Sequence, residues 1–375
     1  MTARVQRIAL PFGIPGTERT VLVRRYGRPG ARPKAYIQAG LHADEIPGML
    51  VAHHLAQLLD QAKLLGEVVL VPMANPIGLD QRILGSGQGR YALDRGTNFN
   101  RDFPALEDVV ASQVADHLGA DAATNVGLIR RALLAATTAG TPADALDGWR
   151  RLLMSLAVDA DLVLDLHCDQ EAVLHLYTGA SLWPEAADLA ARLGCRAVLL
   201  ADRSGGDPFD EACSAPWWHL AHRFGPTRPV PMACLAATIE LRGQRDVDED
   251  LARADARALF DVLSARGIID ADPGPAPAPL CQATPLAGVD RITAPCAGIV
   301  CHLVELGAPV SAGQAIARLI DPGADPGAPG TVLTSAAAGL VWARAAARFA
   351  RAGDIVASIA GPDPLPNRNG DLLTP

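Results

Sequence analysis

The chain has 375 residues, 49% of them apolar, and a net charge of -8 at neutral pH. That length predicts two domains, and that apolar share predicts a sizeable buried core. The acidic balance argues against nucleic acid or an anionic membrane surface as partner. Seven cysteines, an odd number with no CxxC pair, suggest neither a disulfide framework nor a four-cysteine zinc knot, and they fit a reducing compartment. Met1 to Pro11 lacks the apolar run of a signal peptide, and no apolar stretch is long enough to span a bilayer. The expectation is a soluble, cytoplasmic protein.

In chain order, residues 8–26 read as two short strands around a Pro/Gly turn. Ala35-Tyr36-Ile37-Gln38-Ala39 reads as a buried strand ending at Gly40, and residues 48–59 carry apolar positions at helical spacing. Residues 68–72 form another apolar run bounded by turn signals. Strand, loop, helix, strand is the pattern of a βαβ unit and predicts a mostly parallel sheet. Residues 106–156 are helical in composition. Residues 162–166, 197–200 and 236–240 read as further buried strands. Asp270 to Pro279 is a stiff Pro-rich linker. Beyond it, Ala294-Pro295-Cys296-Ala297-Gly298-Ile299-Val300 is echoed by Ser335-Ala336-Ala337-Ala338-Gly339-Leu340-Val341, and residues 310–316 are echoed loosely by 351–356. Short β segments duplicated in tandem predict a small all-β barrel or sandwich. The expected division is a catalytic domain over 1–269, a linker over 270–285 and a β-rich domain over 286–375.

The chemistry-bearing residues sit at or just past the ends of these strands, where open α/β sheets build their sites. His42 and Glu45 follow the first buried strand, and His167 follows the apolar run 162–166. Two imidazoles and one carboxylate are the ligand set of a catalytic zinc site, which keeps its fourth position open. Taken singly, the pair is also readable as a solvated loop and His167 as a core histidine; taken jointly they favour zinc. Glu240 ends the run 236–240 and is a candidate general base beside a metal. Its alternative is a strand-end carboxylate paired with Arg242. Asn100 and Arg101, in Asn98-Phe99-Asn100-Arg101-Asp102-Phe103, offer an amide and a guanidinium fork suited to a substrate carboxylate. Arg82, Arg90 and Arg95 are cations that could stabilise an oxyanion.

These motifs resemble those of the succinylglutamate desuccinylase/aspartoacylase family of the zinc carboxypeptidase superfamily. In order they are Gly40/His42/Glu45, Asn75-Pro76, Asn100-Arg101-Asp102-Phe103, Asp165/His167 and Glu240. The resemblance implies a zinc-carboxypeptidase-like α/β fold, a mixed, mostly parallel sheet flanked by helices, with a C-terminal all-β domain of barrel or sandwich-hybrid type. It implies Zn(2+) on His42, Glu45 and His167, an acid/base at Glu240, and a substrate carboxylate on Asn100 and Arg101. Arg90 is similar to the family's oxyanion arginine, although its spacing to Arg101 is a few residues longer, and Arg82 and Arg95 remain rivals. The β repeat is also similar to biotinyl and lipoyl carrier domains, but no lysine follows Lys63, which excludes a carrier role.

The expected function is zinc-dependent hydrolysis of the amide of a small N-acyl amino acid. The expected partner is a small-molecule carboxylate, with assembly into a homo-oligomer left open. The alternatives are a metallocarboxypeptidase acting on short peptides and a non-catalytic zinc-binding protein. The acyl group and the amine are not readable from these residues.

Overall fold

A computed structural model describes residues 3–366, 368 and 370–373. Its frame is a nine-stranded mixed sheet. Across the sheet the order is Arg4–Ala9, Thr20–Tyr26, Glu67–Val71, Lys34–Ala39, Leu162–Asp169, Leu235–Gly243, His175–Thr178, Ala197–Leu200 and Ala283–Pro285. The pairings among Glu67–Val71, Lys34–Ala39, Leu162–Asp169 and Leu235–Gly243 are parallel, as are the two at the Ala283–Pro285 edge. The first strand begins at Arg4, four residues before the sequence signal, because its exposed side chains carry no apolar pattern.

The central strands read as unbroken apolar runs because both faces are covered. Tyr36, Val69 and Val163 point into one layer with Leu133, Trp149, Leu153 and Trp217. Ile37, Leu70 and Leu164 point into the other, with Leu55, Leu59, Leu259 and Leu263. The helical region after Leu106 resolves into Glu107–Val114, Ala122–Thr138 and Ala145–Ala157, the last two N-capped by Asp121 and Asp144. Among the described residues no helix is long and apolar enough to cross a membrane.

After the Pro-rich stretch the chain forms two facing antiparallel sheets around a core of Ile316, Val341, Val356 and Ile359. The sequence repeat is visible in them. Gly298–His302 pairs with Ala315–Ile320, and Gly339–Arg344 pairs with Ile355–Ala360. Two short segments join the halves. Ala283–Pro285, the end of the stretch read as linker, adds the ninth strand to the large sheet. Glu171–Ala172 pairs with Ala343 and Arg344 of the β-rich half. Glu171 also accepts from Arg344 Nε (2.8 Å) and Arg348 Nη2 (2.7 Å).

One aromatic knot stabilises the layer beneath the site. Trp149 is fully buried, its Nε1 donates to Ala74 O at 2.7 Å, and its ring meets Phe99 at 5.6 Å and Phe103 at 6.1 Å. Trp149→Ala should cost about 3–5 kcal/mol, because it opens a cavity and strands a buried carbonyl. The check is the urea midpoint at unchanged slope. A loss under roughly 1 kcal/mol would mean that the layer collapses around the missing ring.

Candidate metal centre

The sheet order brings three distant pieces of chain together. Lys34–Ala39 and Leu162–Asp169 are parallel neighbours with Ala39 opposite Leu166, so the chain leaving Ala39 carries His42 over the end of the next strand. Leu235–Gly243 lies on the other side, with Glu240 opposite His167. The His42 loop is tied down by Asn75, whose fully buried amide donates to Leu41 O at 2.9 Å and accepts from Gly78 N–H at 2.8 Å. That bridge accounts for the Asn75-Pro76 motif: the proline opens a short helical turn and the asparagine caps it.

Glu45 is the hub. It is almost wholly buried, one oxygen lies 2.8 Å from His42 Nδ1, and the other lies 2.8 Å from His167 Nδ1. Cys168 N–H donates to it at 3.0 Å and Arg90 Nη1 at 3.1 Å. The outer nitrogens of both imidazoles face oxygen atoms. His42 Nε2 lies 2.7 Å from Asn98 Oδ1, and His167 Nε2 lies 3.0 Å from Asp165 Oδ2. Asn98 Oδ1 also accepts from Asn100 N–H at 2.9 Å, which fixes it as the oxygen end of the amide. Asn98 Oδ1 is therefore an acceptor, His42 Nε2 carries the proton, and His42 Nδ1 presents a lone pair. His167 Nε2 faces Asp165 as a close ion pair without hydrogen-bond geometry.

A lone pair 2.8 Å from a carboxylate oxygen coheres only around a cation, either a proton or a metal ion. Donor atoms of His42, Glu45 and His167 lie within 4.8 Å of one another, and among the described residues these three form the group that could hold a metal ion. The set fits zinc.

The charges around the trio are strongly coupled. Burial pushes the His42 imidazole down, against the pull of Glu45. Burial opposes protonation of His167 too, but Asp165 and Glu45 hold its pKa well above the usual value. Burial would raise Glu45, yet the two histidines keep it well below the ordinary carboxylate range. Glu240 goes the other way: burial and then the charge of Glu45 push it well up, and its Oε2 has no hydrogen-bond partner. Arg242 pairs with Asp255 rather than with Glu240.

A cavity of about 270 Å³ opens over the trio. Arg90, Asn100, Arg101 and Glu240 line it, as do Asp210 and Glu211 at the start of the helix Phe209–Phe224. Arg90 reaches it because the loop before it packs against the His42 loop. A Cβ on Gly89 would stand 2.1 Å from Asp44 N, so only glycine fits there. Arg82 instead folds back on Gly85 O, and Arg95 pairs with Asp144 at 2.6 Å; neither lines the cavity. Asn100 Oδ1 accepts from Phe209 N–H at 2.9 Å, which leaves its NH2 as the donor end. Burial, then the charge of Arg90, lowers the pKa of Arg101.

The β-rich half closes the cavity from the other side with Arg291, Trp342, Arg344 and Ser358. Trp342 packs on His175, ring centroids 4.5 Å apart. Burial pushes that histidine down to about 4.

Similarity to known proteins follows the same outline. The sequence model of the succinylglutamate desuccinylase/aspartoacylase catalytic domain matches residues 31–128, the stretch from before the His42 loop to beyond Arg101. A protein assigned to that family from Shewanella amazonensis SB2B superposes with a TM-score of 0.82 at 28% identity, over 95% of this chain and 98% of its own. One from Shewanella frigidimarina NCIMB 400 gives 0.84 at 25% identity, over 96% and 98%. The likeness is to the succinylglutamate desuccinylase/aspartoacylase family. It covers both halves of the chain, the β-rich half included, so the family resemblance carried by the motifs holds for the fold as a whole. The ectoine utilization protein EutE (DoeB) of Ruegeria pomeroyi, at 18% identity and a TM-score of 0.67 over 96% of each chain, shares the fold. No curated protein sequence matches the chain.

One residue of the site escapes a sequence reading. Asn98 opens a motif, but nothing in its neighbours says that its amide holds a histidine. Asp165, already part of the Asp165/His167 motif, stands two residues before His167 in a strand, so both side chains face one side.

Proposed function

We propose that the chain is a zinc-dependent amidohydrolase that removes the acyl group from a small N-acyl amino acid. The observation that carries this reading is the convergence of His42 and His167 on Glu45, each with its Nδ1 turned to that carboxylate. His42, Glu45 and His167 would hold the zinc. Bound there, the ion supplies a Lewis acid and a water of lowered pKa. Glu240 takes the proton of the attacking water and returns it to the departing amine. Arg90 donates to the oxygen that gains charge as the carbonyl is attacked. The Asn100 amide and the Arg101 guanidinium hold the substrate carboxylate. The cavity of about 270 Å³, roofed by the β-rich half, supports a small substrate over a peptide. The division into a catalytic domain over 1–269 and a β-rich domain over 286–375 belongs to this reading, as does a cytoplasmic location, which the seven free cysteines favour.

The test is amine release from N-acetyl and N-succinyl amino acids, set beside dipeptides and tripeptides. Release from an N-acyl amino acid in preference to every peptide is expected. Cleavage of peptides alone would replace the deacylase by a carboxypeptidase.

The Asn98 amide gives a separate check. Asn98→Ala frees His42 to turn and to change tautomer, and zinc affinity should fall roughly 10- to 100-fold. Competition with a chromophoric chelator measures it. Unchanged affinity would mean that His42 is held by its loop alone.

A further inference from the structure

We infer that Leu373 is a specificity-determining wall of the substrate cavity. The inference rests on the carboxylate-anchoring role proposed for Arg101. A second cavity, of about 290 Å³, lies beside the first and is lined by Tyr91, Thr97, Asn98, Asp102 and Asp371 among others. Arg101 and Leu373 line both cavities. Arg101 and Leu373 thus form the partition between them.

Each half of the partition is fixed from behind. The Arg101 loop is bonded to the loop 204–207: Asp102 N–H donates to Gly206 O at 2.9 Å, and Phe103 N–H to Asp207 O at 3.1 Å. The Arg101 stem lies on Gly206, where a Cβ would come within 2.5 Å of Arg101 Cδ. On the other side, Leu372 and Leu373 both donate their backbone N–H to Ser204 O, at 2.8 and 3.0 Å. Arg368 Nη2 donates to Leu372 O at 2.7 Å, and Leu372 is buried with Leu199, Leu286 and Trp342. Asp371 rests on Gly205, whose φ of +103° and lack of a Cβ admit it; a Cβ there would stand 2.5 Å from Asp371 Oδ1.

None of these bonds uses the Leu373 side chain, which packs partly buried against the apolar cluster of Leu199, Leu286 and Trp342. It can change in size while its backbone stays pinned, and an apolar group acts by volume. A substrate whose carboxylate sits on Arg101 meets this wall next. Shortened to alanine, the wall opens the first cavity into the second, and a longer chain gains apolar contact there. Enlarged to tryptophan, it shortens the first cavity.

The experiment is calorimetric titration of straight-chain carboxylates, butanoate to octanoate, into wild type, Leu373→Ala and Leu373→Trp. In wild type, affinity should rise with each methylene to a cut-off length and then stop. In Leu373→Ala it should keep rising, about fourfold per added methylene, past that length; in Leu373→Trp it should stop sooner. Equal cut-off lengths in the three proteins would overturn the inference, as would the failure of any carboxylate to bind. The deacylase reading is judged separately, by wild-type turnover of N-acyl amino acids. Were that turnover absent, the cut-off lengths would still decide the role of Leu373.

Discussion

Replacing Glu240 with glutamine is expected to lower kcat by about 10²- to 10⁴-fold, the span that a positioned acid/base contributes, while zinc content stays at the wild-type level. Glutamine keeps the shape and the polar contacts of the buried side chain but cannot accept a proton. Glu240 is suited to the role by its surroundings. It lies opposite His167 on the neighbouring strand, one carboxylate oxygen is buried without a partner, and no arginine on its own strand neutralises it, since Arg242 is engaged by Asp255. Burial and the charge of Glu45 hold its proton on. A cation held by Glu45 offsets that charge and brings the pKa back toward the working range. The base form is the deprotonated one, so kcat/KM should fall as pH drops through the Glu240 pKa, and Glu240→Gln should lack that acidic limb. Measured kcat, the pH profile and zinc per chain test the three statements together. A near-normal rate in the variant would remove Glu240 from the chemistry.

The second large effect falls on Glu45→Gln. Zinc affinity should drop by more than about a hundredfold, because even a partner outside the ligand shell costs roughly 10- to 100-fold, and amine release should go with it. Glu45 faces both histidines, the Cys168 amide and Arg90 from a nearly sealed position. A glutamine presents an amide NH2 to one of the two Nδ1 atoms and blocks it as a ligand. Chelator competition measures the loss. Affinity within about tenfold of wild type would place the metal elsewhere.

The trio and Glu240 were legible in the sequence because each follows or ends an apolar strand, and parallel neighbours deliver such positions to one edge of a sheet. Spacing and hydropathy pointed to the same residues for unrelated reasons. The group that orients His42 was less legible. Asn98 lies in a two-residue strand inside a hairpin, where no periodicity marks which way a side chain faces. The β-rich half was readable from its glycine-punctuated repeat, but its grip on the site was not. That grip depends on Glu171–Ala172 and Ala283–Pro285, which are too short to show alternation, and on Trp342 and Arg291 reaching a cavity formed by residues far away in sequence. The wall made by Leu373 belongs to the same class: two backbone bonds to Ser204 position it, and backbone bonds leave no trace in composition.

The most direct test of the account is amine release from an N-acyl amino acid as metal-stripped protein is titrated with zinc. Turnover should be absent at the start, rise in proportion to zinc, and level off at one equivalent per chain; His167→Ala should stay silent throughout. Full turnover by the stripped protein, or zinc bound at one equivalent without turnover of any N-acyl amino acid, would contradict it.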